Sequence, residues 1–180
     1  MTMAVATKPA LAALPDVTAG DFKRALGQFA TGVTVITTVD DRGAPFGVTA
    51  TSFGSLSLDP PMVQWSLRTA AWSHGIFAAA GRFAVNILSA DQADISTRFA
   101  TPNIDRFALT PCEPGLDALP LIDGCAAWIE CRTQTTVAAG DHTIFIGRVL
   151  RTAVSDRAPL LHWHGAYGRF DRQTDRKSVV

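Results

Sequence analysis

Apolar positions along the chain change period several times, and each change marks a new element. Thr18 and Asp21 are spaced as a capping box, and Phe22, Leu26 and Phe29 follow at helical spacing until Gly32 stops the pattern. A short amphipathic helix is predicted there. Val33 to Val39 is dominated by β-branched residues and runs into Asp40-Asp41-Arg42-Gly43, which reads as a strand closed by a turn. Phe46 to Leu58 reads as a second strand, broken by Asp59-Pro60-Pro61, and Met62 to Leu67 as a third. Trp72, Ile76, Phe77 and Ala80 return to helical spacing, with Gly81 placed to end the helix. Phe83 to Leu88 alternates as a strand, and Ser89 with Gln92 marks a capping-box start for a helix through Phe99.

Pro102 to Pro120 has no period and several prolines, and its length suits a functional loop that covers a site. Beyond it, Ala127 to Val137 and Thr143 to Ala153 read as the two strands of a hairpin, with Ala138-Ala139-Gly140-Asp141-His142 between them. Strands outnumber helices and mostly follow one another without helical crossovers. That order favours an antiparallel β-barrel decorated with short helices over a doubly wound sheet. One domain at 20–172 is expected, between a flexible arm at 1–19 and a tail at 173–180.

A chain of 180 residues with 47% hydrophobic and 18% charged residues can bury one sizeable core. Basic and acidic residues balance at 16 each, so no global field attracts nucleic acid or an anionic membrane. Cys112, Cys125 and Cys131 form no C-x-x-C pair and fit a reducing compartment. Neither a secretory signal nor a membrane-length apolar run is present, so a cytoplasmic protein is expected.

The fingerprints of dinucleotide, phosphate-loop, zinc-protease and serine-hydrolase sites are absent from the sequence. His162-x-His164 lacks nearby Cys or carboxylate partners for a metal. Gly47 to Ser57 carries small hydroxylated residues on a Gly-punctuated strand. Such a strand serves either as a polar outer face or as a place where backbone N–H groups and hydroxyls approach a flat polar ring and a phosphate. His142 is either a solvated turn residue or an imidazole set against a cofactor, and Asp141 reads as a turn former.

Together these segments resemble the short-chain flavin reductase family, the reductase components of two-component flavin-dependent monooxygenases. The resemblance runs from about Phe22 to Phe170. It rests on Phe29-Ala30-Thr31-Gly32-Val33-Thr34-Val35, Gly47-Val48-Thr49-Ala50-Thr51-Ser52-Phe53, Asp59-Pro60-Pro61, Phe83 to Leu88, Gly140-Asp141-His142-Thr143, and Pro159-Leu160-Leu161 before Tyr167. It implies the FMN-binding split β-barrel, an antiparallel, Greek-key-like fold that is mainly β, and a homodimer with flavin at the interface. It also implies hydride transfer from NADH, or NADPH, to FMN or FAD, for use by an oxygenase component.

By the same resemblance Thr49, Ala50, Thr51 and Ser52 hold flavin from one strand and Ser66, Leu67 and Arg68 from the next. Asn86 and Ile87 border the ring, Thr31, Val33, Thr34 and Tyr167 complete the cofactor site, and His142 lies beside the nicotinamide. The family often carries Cys where Ser66 stands. Arg68 is the first choice for a phosphate partner, with Arg98 and Arg106 as alternatives. A flavin carrier or sensor and a flavin-dependent reductase of a corrinoid or ferric complex are the competing readings.

Overall fold

The computed structural model describes residues 16–170. Most of the expected arm and the whole of the expected tail at 173–180 therefore lie outside the described residues. Helix α1 (Ala19–Leu26) begins where its capping box places it, and the Thr18 hydroxyl oxygen accepts the Asp21 N–H at 3.1 Å. No residue of α1 is buried, so among the described residues its apolar face is left without a partner.

The strands are β1 (Thr31–Gly32), β2 (Thr34–Val39), β3 (Pro45–Ala50), β4 (Gly54–Leu58), β5 (Pro61–Arg68) and β6 (Arg82–Ile87). After them come β7 (Cys112–Pro114), β8 (Pro120–Ile122), β9 (Ala127–Ala139), β10 (His142–Val154), β11 (Leu160–Trp163) and β12 (Ala166–Arg169). Helix α2 (His74–Ala80) links β5 to β6, and α3 (Ala93–Ala100) follows β6. Seven strands build one antiparallel sheet in the order β3-β2-β6-β9-β10-β5-β4. The expected barrel with short helices is what folds.

The sheet curls around a core of Ile36, Val48, Val63, Trp65, Phe77, Phe83, Val85 and Phe145. Trp65 stacks on Phe145 with centroids 4.7 Å apart and meets Phe77 edge-on at 5.0 Å. A second core, with Val33, Val35, Leu88, Phe99, Ile122 and Leu160, lies under α3. Strand β2, between β3 and β6, feeds both cores and is buried along its whole length, and its threonines are satisfied by bonds to the carbonyls of Ala50, Pro120 and Arg82.

Several boundaries differ from the sequence reading, each for a local reason. The strand expected over Phe46 to Leu58 breaks at Thr51-Ser52-Phe53, where β3 outruns its ladder with β2 and turns toward β5. Trp72 stands outside α2 and is exposed, while Gly81 ends that helix at φ 64° as expected. Only half of the second capping box forms. The Gln92 side-chain oxygen Oε1 accepts the Ser89 N–H at 3.0 Å, but the Ser89 hydroxyl turns to Asp91 and the Gly124 carbonyl. The hairpin is tighter than expected, with Gly140-Asp141 alone between β9 and β10 and Gly140 at φ 60°.

The 102–120 segment is pinned to the sheet. Arg106 donates to the carbonyls of Gly47 and Thr101, and Phe107 packs edge-on against Phe99. Buried Glu130 accepts the Leu116 N–H and pairs with Arg151.

Candidate functional site

The break after β3 positions the site. Once Ala50 has made the last rung with Thr34, Thr51 to Phe53 leave the ladder and cross toward β5. There the Ser52 hydroxyl accepts the Ser66 N–H at 3.0 Å and donates to the Ser66 carbonyl at 3.1 Å. This side-chain clasp ties the segment after edge strand β3 to β5, the strand next to the opposite edge, and β3 and β5 themselves form no ladder, so the barrel is split there. A cleft of ≈ 330 Å³ opens at the split.

Thr49, Ala50, Thr51 and Ser52 line this cleft from one side, and Ser66, Leu67 and Arg68 from the other. His142 enters from a third segment. It is the first residue of β10 and the cross-strand partner of Arg68. The hairpin tip is tethered because the Asp141 carbonyl accepts both the Thr69 N–H at 3.0 Å and the Thr69 hydroxyl at 3.1 Å. Asp141 is thus more than a turn former, and its carboxylate also meets His142 Nδ1 at 2.7 Å.

Some of the lining is already engaged. The Thr49 hydroxyl donates to the Ser96 carbonyl at 2.7 Å, and Ser52 forms the clasp. Among the described residues, the Thr51 and Ser66 hydroxyls and the Arg68 guanidinium carry no side-chain bond, leaving donors free for a ligand. Ala50 and Ala71 supply low apolar floor between them. Small side chains, free hydroxyls and one cation suit a flat, hydrogen-bonding ring with a phosphate attached.

A larger groove of ≈ 970 Å³ meets this cleft at Thr51 and Ser52. Lys23, Leu26, Phe29 and Thr31 line it from the α1 side, and His162, Trp163 and His164 from the β11–β12 turn. Among these, sequence reasoning found only Thr31 as a site residue. The groove exists because β1 pairs with β11, joining segments some 130 residues apart (Thr31 with His162), and no periodicity along the chain signals that pairing. Ala71 was missed for a similar reason, since a lone alanine after a strand carries no signal.

Five expected site residues do not reach either opening. Val33 and Thr34 are buried, and the Thr34 hydroxyl donates to the Ala50 carbonyl at 2.7 Å. Asn86 is fully buried, donates to the Val35 carbonyl and the Thr37 hydroxyl at 3.0 Å each, and accepts the Ile122 N–H at 2.8 Å. Its amide is consumed in joining β2, β6 and β8. Ile87 packs against the barrel core. Tyr167 lies at the molecular surface with its hydroxyl on Ser96 Oγ at 2.9 Å, and it lines neither opening.

The alternative phosphate partners are also spent. Arg98 donates to the Leu109 carbonyl and the Thr110 hydroxyl, and Arg106 is buried on backbone carbonyls beneath Trp72. The 102–120 loop borders neither the cleft nor the groove, so it does not cover this site. Burial pushes the Cys112 thiol up to about 11 and those of Cys125 and Cys131 to about 12, so all three stay protonated near neutral pH.

Known proteins share this fold. Residues 26–171 match the flavin reductase like domain family. An FMN reductase (NADH), SmoA, of Agrobacterium fabrum is 47% identical over 84% of this chain and 86% of its own length. The reductase component of the flavin-dependent trigonelline monooxygenase of Acinetobacter baylyi is 44% identical over 82% of this chain. This chain spans about half of that longer relative, 47% of its length. The solved structure of Streptomyces globisporus NADH:FAD oxidoreductase SgcE6, in complex with NAD and FAD fragments, superposes with a TM-score of 0.82 at 35% identity, covering 87% of this chain and 94% of that one. The chain belongs to the flavin reductase-like family and is a flavin reductase of the split-barrel fold.

Proposed function

We propose that this chain works as a cytoplasmic homodimer that binds FMN or FAD in the β3–β5 cleft, takes hydride from NADH, and releases reduced flavin to a separate oxygenase. The observation that carries the reading is the convergence of Thr49–Ser52, Ser66–Arg68 and His142, from three segments of the chain, on one cleft. Flavin supplies the hydride acceptor, and the nicotinamide supplies the donor.

The chain's own contribution is positioning. Arg68 offers a charge-assisted donor to a phosphate, and the Thr51 and Ser66 hydroxyls offer neutral donors to a polar ring edge. Ala50 and Ala71 allow close approach of a planar group, and His142 stands where a second ring enters. Nothing in this set must shuttle a proton to drive hydride transfer. The exposed apolar face of α1, with Phe22 and Leu26, supports a second copy as its cover. Three unpaired cysteines support a reducing compartment.

Steady-state kinetics of His142→Ala test the reading. Loss of kcat/KM for NADH by about tenfold, or about 1.4 kcal/mol, is expected with the KM for flavin unchanged. An unaltered kcat/KM for NADH would return His142 to the status of a turn residue.

A further inference from the structure

Three arginines stand side by side on the outer face of the sheet. Arg132 on β9 is the cross-strand partner of both Arg82 on β6 and Arg148 on β10. Their chain neighbours Phe83, Cys131 and Val149 pack in or against the barrel core, so alternation turns all three arginines outward. Gly147 fixes the same direction on β10, because a Cβ there would meet Phe83 and Cys131 inside the barrel. Arg132 and Arg148 are exposed, and Arg82 is half-buried.

Residues directly opposite on neighbouring strands lie about 4.5–5.5 Å apart at Cβ, and like charges so placed destabilise a sheet. Among the described residues nothing relieves this row. No side-chain hydrogen bond or ion pair engages any of the three guanidinium groups, and Arg82 Nε is shielded from solvent without a partner. Glu130 shares the face two residues along from Arg132, but Arg151 and the Leu116 N–H take its carboxylate. Asp40 and Asp41 border a cavity with Arg82, yet Asp40 Oδ1 accepts the Arg42 and Ala44 N–H groups and neither carboxylate pairs with Arg82.

We propose that Arg82, Arg132 and Arg148 form a docking surface for an acidic segment of a partner protein, whose carboxylates pair with the guanidinium row. A guanidinium presents parallel N–H donors that match the two oxygens of a carboxylate, a fit that a lysine lacks. A docked row of carboxylates supplies both the opposite charge and the acceptor that Arg82 Nε is missing. The row continues through Met62, opposite Arg148, to Ser57 and brings no aromatic side chain on which a base could stack, which favours a protein over a nucleic acid. Arg148 lies six residues along β10 from His142, about 20 Å, so a partner held there leaves the flavin cleft open.

Fluorescence anisotropy with labelled hexaglutamate at low ionic strength tests the surface. The wild type should bind the peptide, and Arg132→Lys with Arg148→Lys should weaken binding by about fivefold or more, because the charge is kept and the fork is lost. Arg42→Glu, a charge reversal on the β2–β3 turn, should bind as the wild type does, and flavin reduction should be the same in all three proteins. The proposal is overturned by a wild type that does not bind, by undiminished binding in the double lysine variant, by an equal loss in Arg42→Glu, or by tighter binding of an oligothymidylate of equal charge. A second measurement needs no ligand. Arg132→Gln should raise the melting temperature at low salt by about 1–3 °C, since it removes the central like charge. A lowered melting temperature would mean that the row is satisfied within the protein, and an oligomeric state altered by Arg132→Glu with Arg148→Glu would make it a contact between copies of this chain; either result contradicts the docking surface.

Discussion

Among the described residues Arg68 is the arginine that lines the cleft and its guanidinium carries no side-chain bond, whereas Arg98 and Arg106 lie elsewhere and spend theirs on carbonyls of the 98–110 region and of β3. A lone cation beside neutral hydroxyls predicts a selective phenotype. Arg68→Ala is expected to raise the KM for FMN about tenfold, the scale of one charge-assisted hydrogen bond worth about 1.4 kcal/mol. Riboflavin, which has no phosphate, should be used as before. An equal effect on both would place Arg68 at the ring or in the fold. Sequence reading put Arg68 ahead of Arg98 and Arg106 only through the family resemblance. What separates them physically is which guanidinium finds backbone carbonyls after folding, and no local pattern encodes that.

At the scale of elements, Asn86 shows how far strand periodicity reaches. Alternation placed Phe83, Val85 and their neighbours on a strand, and the core bears that out. It could not tell which polar residue on a strand buried on both faces is a ligand contact and which a structural bond. Asn86 ties β6 to β2 and to the end of β8, satisfying the Val35 carbonyl, the Thr37 hydroxyl and the Ile122 N–H. Asn86→Ala should therefore destabilise the protein by about 3 kcal/mol, leaving buried polar groups without partners. Chemical denaturation alongside kinetics checks this. A raised flavin KM at undiminished stability would put Asn86 at the ring after all. The break at Thr51 to Phe53 was likewise hidden, since glycines and hydroxyl residues run evenly from Gly47 to Ser57 and the ladder, not composition, decides where β3 stops.

For the whole molecule, the barrel leaves α1 half-finished. Phe22 is 57% exposed and Leu26 56%, on a helix with no buried residue. Burying such a face is worth about 25 cal/mol per Å² of apolar surface, which favours association over exposure. Phe22→Asp with Leu26→Asp should convert a dimer to a monomer in sedimentation equilibrium at micromolar concentration. A wild type that is monomeric under those conditions would contradict the dimer. The large groove against α1 would then be open in solution rather than part of an interface.

A reductase that supplies flavin must also let it go. The cleft offers one cation, two free hydroxyls and small side chains, a set suited to micromolar affinity, about −8 kcal/mol, rather than permanent retention. Under anaerobic conditions, the enzyme can be mixed with NADH and a large excess of FMN, with a separate oxidant beyond a dialysis membrane. Reduced flavin should build up far past the enzyme concentration and reduce the oxidant across the membrane. Reduction that stops after one equivalent per subunit, with flavin still bound through gel filtration, would contradict the supply role and identify a carrier or a dedicated acceptor reductase instead.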